Sequence, residues 1–97
     1  MVLDDMGKKE EALIEYEEAK EILSQTVGEN HIKYANALNN IGNIYSQMGK
    51  YEQAMENYEQ SLSIRGEIKG KESEEYAMTL MNIGLVLDNK GEYESAL

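Results

Sequence analysis

The sequence repeats itself with a period of 42 residues, and this internal repeat limits the possible folds more than any other feature. Residues 6–13 align with residues 48–55 and then with residues 90–97, without an insertion. Gly28 recurs as Gly70 at the same spacing. A unit of this length cannot bury its apolar face alone, so neighbouring units must stack. The period therefore predicts a repeat protein.

The composition favours helices throughout the chain. The 97 residues contain no Pro, Trp, Phe or Cys, and Ala, Leu, Glu, Lys, Gln and Met, which are good helix formers, dominate. A chain of this length makes one domain at most. We therefore expect an all-α fold with a modest core.

Each period contains two apolar segments with helical spacing, separated by glycines. We expect a first helix over residues 30–48, capped by Asn30, and a second over residues 51–68, with Gly49 between them at positive φ. Equivalent helices are expected over residues 8–27 and from an N-cap at Ser73 to about residue 90. Gly66 costs about 1 kcal/mol relative to Ala, so the last turn of its helix is expected to fray. The short loops imply antiparallel neighbours.

The predicted helix over residues 30–48 carries two stripes of different chemistry. Apolar side chains recur at three- and four-residue steps and predict a core-facing stripe: Ala37, Leu38, Ile41, Ile44, Tyr45 and Met48. Amides recur at the same steps on a second face: Asn36, Asn39, Asn40, Asn43 and Gln47. We expect the second stripe to make hydrogen bonds, because each amide offers donors and an acceptor.

The spacing around these stripes resembles the tetratricopeptide repeat (TPR). The pattern is Leu38-x2-Ile41-Gly42-x2-Tyr45, followed by Gly49-x-Tyr51-x2-Ala54-x3-Tyr58. The resemblance implies antiparallel helix-turn-helix repeats stacked in a right-handed superhelical solenoid. The period of 42 rather than 34 residues, with Leu-Asn-Asn-Ile-Gly and Ser-Leu-Ser-Ile-Arg, is similar to kinesin light chain repeats. The 42-residue period divides the chain into a partial repeat (1–28), a complete repeat (29–70) and a partial repeat (71–97).

The resemblance also implies a protein-protein interaction module that holds a peptide on its concave face. The implied peptide-binding residues are Asn36, Asn39, Asn40, Asn43, Gln47, Met78, Met81, Asn82 and Leu85. Asn40 and Asn82 occupy the same repeat position, so they either bind ligand or only join neighbouring repeats. Asn36, Asn39 and Asn43 are replaced one period later by Met78, Met81 and Leu85, which indicates that the fold does not require them. Met78, Met81 and Leu85 are interpreted first as core or inter-helix packing; if they face the groove, they suit an adaptable apolar pocket beside the asparagines.

Charge and composition narrow the partners and the chemistry. With 19 acidic and 9 basic residues the formal charge is −10, which favours neutral or basic protein partners and disfavours nucleic acid and anionic membranes. The absence of Cys and of any long apolar run indicates a cytoplasmic protein. No catalytic set or phosphate-binding loop is recognisable, and His31 alone cannot form a metal site. We therefore expect no enzyme activity, no cofactor and no metal.

The two ends of the chain do not coincide with repeat boundaries. The helix predicted from Ser73 to about residue 90 lacks a partner helix like the one that residues 51–68 form one repeat earlier. We therefore expect four of its apolar residues to be uncovered: Leu80, Ile83, Val86 and Leu87. We therefore expect a fragment of a longer array that self-associates through its terminal helices, as an alternative to peptide binding. Seamless head-to-tail stacking is disfavoured, because the last 13 residues of one copy and the first 13 of the next would compete for one place.

Overall fold

The computed structural model describes residues 5–70 and 72–96, which form four helices. These are α1 (Asp5–Thr26), α2 (Ile32–Gln47), α3 (Tyr51–Lys69) and α4 (Glu74–Ala96). The described residues include no strand. The all-α prediction is confirmed, and so are the positions of α2 and α3 to within two residues.

The turns between helices lie at the predicted glycines, whereas the predicted N-cap of α2 is wrong. Gly49 has φ +78°, in the left-handed region that favours glycine, and it ends the turn between α2 and α3. Ser73 Oγ accepts from the Tyr76 N–H at 3.2 Å, as expected for an N-cap. Asn30 was predicted to cap α2, and this is wrong. The helix begins two residues later, so His31 is the N-cap, and its Nδ1 accepts from the Lys33 N–H at 3.1 Å.

The two outer helices are longer than predicted. α1 includes Gly7 and α4 includes Gly91, although the equivalent Gly49 lies in the turn that separates α2 from α3. The break at Gly49 is stabilised by α3, which folds back onto α2. α4 instead continues as a helix past Gly91 to Ala96. α3 continues past Gly66 to Lys69, and the predicted fraying of its last turn stays a prediction.

The helices pack as antiparallel neighbours, with α3 against both α2 and α4. Ser61 of α3 donates to the Ala35 carbonyl near the start of α2, whereas Tyr58, one turn earlier, reaches Asn43 further along it. Lys90, near the end of α4, pairs with Glu52 at the start of α3 at 3.8 Å. This antiparallel arrangement was predicted. The right-handed superhelix stays a prediction.

Two clusters of buried side chains form the core. The first joins α2 to α3 and comprises Tyr34, Ala35, Leu38 and Ile64, with Leu23 of α1 packed against it. The second joins α3 to α4 and comprises Ala54, Tyr58 and Val86. Val86 was expected to be uncovered. This is wrong, because Val86 lies on the side of α4 that packs against α3 and is buried there. Helical spacing predicts that Leu62 lies on the inner side of α3, but Leu62 is only half-buried, and Ser61 and Arg65 take the buried positions.

Some apolar residues of the outer helices remain exposed, although helical spacing predicts that two of them, Tyr16 and Ile22, face inward. In α1 these are Tyr16 and Ile22, and in α4 they are Leu80 and Leu87. Leu38 is 1% exposed, whereas Leu80, its equivalent one period later, is 47% exposed. The difference arises because α3 covers Leu38 and no described helix covers Leu80. The expectation for Leu80 and Leu87 is thus confirmed, whereas that for Tyr16 and Ile22 is wrong.

Candidate functional site

The amide stripe of α2 is tied into the fold at three positions. Asn36, Asn39 and Asn43 each use the side-chain oxygen Oδ1 to accept a hydrogen bond from another helix. The replacement of these three residues one period later predicts that the fold does not require them, and this stays a prediction, although each forms a hydrogen bond between helices. Their role in peptide binding stays a prediction.

Asn36 meets an arginine that sequence reasoning missed. Arg65 Nη2 donates to Asn36 Oδ1 at 3.0 Å, and Arg65 Nε donates to Ser61 Oγ at 3.2 Å. Arg65 is buried and its Nη1 has no hydrogen-bond partner. Because a guanidinium only donates, this contact fixes the orientation of the Asn36 amide, with the oxygen inward and the NH₂ group outward.

Asn43 is held by the same kind of contact at the closest approach of α2 and α3. Tyr58 OH donates to Asn43 Oδ1, and the ring of Tyr58 lies over Gly42. A Cβ atom on Gly42 would lie 2.8 Å from both Cδ1 and Cε1 of that ring. The TPR pattern places small residues at Gly42 and Ala54 so that the two helices can approach closely, and this is confirmed, since Ala54 is fully buried in the same region.

Asn39 lies at the contact between neighbouring repeats. Asn82 Nδ2 of α4 donates to Asn39 Oδ1 over 3.3 Å, and Thr79 Oγ1 lies 3.4 Å from the same oxygen. Asn82 therefore joins two repeats in this structure. Asn40, which shares its repeat position, is half-buried and has no hydrogen bond through its side chain within the described residues.

On α4 the equivalent positions form an exposed apolar stripe. Met78, Met81 and Leu85 are all exposed, with Met81 at 69%. Met78 and Leu85 lie four and three residues from Asn82 along α4, and Met81 lies three residues from Met78 and four from Leu85, so the stripe runs beside Asn82. The interpretation of these residues as core packing is wrong for the described part of the chain. Gln47, at the far end of the α2 stripe, is exposed as well.

Residues 1–67 of the sequence match the tetratricopeptide repeat family. The chain belongs to this family. No curated protein matches the sequence. TPR repeats generally mediate protein-protein interaction, and the family is a non-catalytic repeat module.

Burial changes the acid-base properties of the groups that hold this TPR repeat together. Burial raises the pKa of Tyr58 to about 12, which keeps its hydroxyl protonated as a donor to Asn43. Burial, assisted by the nearby negative charge of Glu29, also raises the pKa of Tyr34. Burial lowers the pKa of Arg65, and Glu75 acts in the opposite direction. Tyr58 and Arg65 therefore act as hydrogen-bond donors in the repeat.

The TPR scaffold carries no recognisable metal site in its described part. Across residues 5–70 and 72–96 no three His, Cys, Asp or Glu side chains converge. His31 lies at the start of α2, where its imidazole caps the helix. Of the four helices described, none is long and apolar enough to cross a membrane.

Sequence reasoning missed three polar residues of the helix contacts, namely Ser61, Arg65 and Thr79. All three are buried. Their spacing offered a signal, because Ser61 and Arg65 follow Tyr58 at three and seven residues and so share its inner face. Their polarity obscured it, since Ser and Arg are usually found on the surface.

Proposed function

We propose that this TPR chain binds a segment of another protein on the surface formed by α2 and α4 around the contact between Asn39 and Asn82. We name it the amide-methionine surface, defined by the predicted site residues Asn36, Asn39, Asn40, Asn43, Gln47, Met78, Met81, Asn82 and Leu85. The observation that carries the proposal is that an exposed apolar stripe on α4 adjoins a row of amides oriented by the fold. The chain thus acts by binding rather than by catalysis.

The amides offer this partner donors rather than acceptors. In Asn36, Asn39 and Asn43 the oxygen is already engaged, and the NH₂ groups donate to no described acceptor. Fixed donors suit the carbonyl oxygens of a peptide backbone, whatever its side chains. The exposed Met78, Met81 and Leu85 suit apolar side chains of varied shape, because the Met side chain is flexible and polarizable.

The formal charge of −10 favours a neutral or basic segment, in an extended or short helical conformation. We also assign the repeats to the kinesin light chain type, on their 42-residue period, with residues 29–70 as the complete repeat. We place the protein in the cytoplasm, on its lack of Cys. A right-handed superhelix would make the amide-methionine surface concave.

Substitution of Asn by Asp tests the donor role without removing the internal contacts. Asn36→Asp and Asn43→Asp keep an oxygen for Arg65 and Tyr58 but delete the NH₂ group. A hydrogen bond is worth about 0.5–1.5 kcal/mol, so we expect each change to weaken a peptide selected from a library about 2- to 10-fold. Asn30→Asp adds the same charge outside the surface and should leave affinity unchanged.

Peptide affinity is measured by fluorescence anisotropy, and folding by circular dichroism in parallel. Unchanged affinity in both Asp variants would remove these amides from the mechanism. Loss of affinity in Met81→Ser, with Asn→Asp neutral, would assign binding to the apolar stripe alone.

A second candidate function is self-assembly through the uncovered faces of the outer helices. It is favoured by the exposure of Leu80 and Leu87, whose equivalents one period earlier, Leu38 and Tyr45, are covered or half-covered. Sedimentation velocity over a range of concentrations tests it. A monomer at every concentration would exclude it.

A further inference from the structure

Arg65 of α3 is a buried charged side chain that stability alone does not explain. It is 4% exposed, and its Nη1 has no hydrogen-bond partner among the described residues. A buried donor without an acceptor is costly, and a buried ion is often no more stabilising than an apolar side chain of similar volume. The groups that Arg65 holds in place therefore give a better account of it than stability does.

The same repeat position carries an apolar residue in α1. Leu23 lies one period before Arg65, and it packs against the core cluster that joins α2 to α3. An uncharged side chain therefore fills this position in one repeat, whereas α3 carries a charge there.

Two hydrogen bonds fix the guanidinium of Arg65 between α3 and α2. Nε donates to Ser61 Oγ at 3.2 Å, and Ser61 Oγ in turn donates to the Ala35 carbonyl of α2 at 2.8 Å. Nη2 donates to Oδ1 of the next residue along α2, Asn36, at 3.0 Å. Because a guanidinium is planar and its donors form a rigid fork, two bound acceptors fix its orientation. Arg65 thus presents a fixed donor to Asn36.

Asn36 lies between this fixed donor and solvent. Its side chain is exposed, and its Oδ1 accepts from Arg65. A half-turn of the amide would place its NH₂ group against the guanidinium, and two donors cannot bond to each other. The NH₂ group is therefore held outward on the amide-methionine surface, where it donates to no described acceptor.

We infer that Arg65 is a positioning residue of the amide-methionine surface, and that it acts on a bound segment through Asn36. The inference rests on the proposed binding function and adds to it a residue that does not touch the partner. Arg65 holds the Asn36 amide as a donor before the partner arrives, so binding does not have to order that side chain. Preorganising one side chain corresponds to about 2- to 10-fold in affinity.

Tyr58 and Asn43 form a second pair of the same kind, which supplies the control. Tyr58 OH donates to Asn43 Oδ1, and Asn43 lies seven residues after Asn36. Seven residues make nearly two helical turns, so the two amides lie about 10 Å apart on the same side of α2. They share no hydrogen-bond partner within the described residues. Residues this far apart should contribute to affinity independently.

NMR relaxation of side-chain amides tests the orientation without any partner. The Asn36 NH₂ group should be rigid in the wild type and flexible in Arg65→Met, with an order parameter that falls below about 0.6. The Asn43 NH₂ group should not change. Gln47, which is exposed on the same helix, provides the reference for a free amide. An Asn36 amide that is as rigid in Arg65→Met as in the wild type overturns the inference.

A double-mutant cycle tests whether Arg65 acts through Asn36. The probe is the library-selected peptide, with affinity measured by fluorescence anisotropy and folding by circular dichroism. We expect Arg65→Met to weaken binding about 2- to 10-fold, and no more than Asn36→Ala does. In the Asn36→Ala background the same change should have no further effect. In the Asn43→Ala background it should keep its full effect.

Arg65→Leu is the second variant for both experiments. It introduces the residue that α1 carries at this repeat position, so it takes the place of Arg65→Met if that protein fails to fold. We expect the same loss of order at Asn36 and the same loss of affinity.

The outcomes separate this inference from the function on which it rests. Wild-type affinity in both Asn36→Ala and Asn43→Ala removes the amides from the proposed function, and the inference with them. If Asn36→Ala weakens binding and Arg65→Met does not, the proposed function stands and the inference is overturned. Equal effects of Arg65→Met in the Asn36→Ala and Asn43→Ala backgrounds also overturn it, because Arg65 would then act on the fold as a whole.

Discussion

Gly42 and Gly84 occupy the same repeat position in different surroundings, so Gly→Ala is expected to destabilise the protein at Gly42 and to stabilise it at Gly84. In Gly42→Ala the new methyl group lies 2.8 Å from two ring carbons of Tyr58. The ring cannot move easily, since Tyr58 is buried and its hydroxyl is bonded to Asn43. Overpacking of this kind costs about 1–3 kcal/mol, and loss of the hydrogen bond costs about 0.5–1.5 kcal/mol more.

Against these costs, replacing a helical Gly by Ala contributes about 1 kcal/mol of stability. The net expectation for Gly42→Ala is a loss of about 1–3 kcal/mol. This corresponds to a fall in melting temperature on the order of 10 °C for a domain of this size. For Gly84→Ala the steric cost is absent, because nothing lies within 4 Å, and a gain of about 1 kcal/mol remains.

Urea unfolding followed by circular dichroism, at concentrations where the chain is monomeric by sedimentation, measures both variants. Equal effects at the two positions would refute the reasoning, since helix propensity alone would then account for them. So would a Gly42→Ala protein as stable as the wild type, because the contact between Gly42 and Tyr58 would then have no energetic consequence.

Three further predictions concern single groups. His31→Ala should lower stability by about 0.5–2 kcal/mol through loss of the α2 cap, whereas Asn30→Ala should be nearly neutral in the same urea titration. Because folding raises the pKa of Tyr58 to about 12 from an ordinary value of 10, its contribution is complete below pH 10 and is lost as pH rises towards 12. A Tyr58→Phe protein should therefore lose less stability than the wild type between pH 10 and 12, and parallel pH profiles would contradict this. Arg65→Met should change stability by less than about 1 kcal/mol or increase it, because a buried guanidinium with one unpaired nitrogen is costly; a loss of several kcal/mol would show that its bond to Asn36 outweighs that cost.

Much of the fold could be predicted from local signals. The all-helical class, the turn at Gly49 and the positions of α2 and α3 follow from helical periodicity and glycine placement, which depend on a few neighbouring residues. The helix ends were predicted less well. Asn30 and His31 both can cap, and no local rule decides between adjacent candidates.

The positions of the two stripes could be predicted from the repeat pattern, whereas the hydrogen bonds of the amides could not, and the binding role of both stripes stays a prediction. The amide stripe of α2 and the apolar stripe of α4 lie where the repeat pattern indicates. The bonds of Asn36, Asn39 and Asn43 could not be found from sequence, because their partners lie 15 to 43 residues away in the chain. The replacement of these residues one period later by Met78, Met81 and Leu85 therefore says nothing about the hydrogen bonds that they make in the complete repeat.

The sequence by itself determined that this protein is a stack of two-helix repeats, because the 42-residue period and the apolar spacing are written along the chain. Only the tertiary structure decided the role of each repeated residue. Gly42 is filled by a tyrosine ring and Gly84 is open, and Leu38 is buried while Leu80 is not. The residues in each pair are identical, so the difference lies in which helix packs against them. Burial and hydrogen bonding are properties of neighbours brought together by the fold, and a periodic sequence repeats its residues without repeating their neighbours.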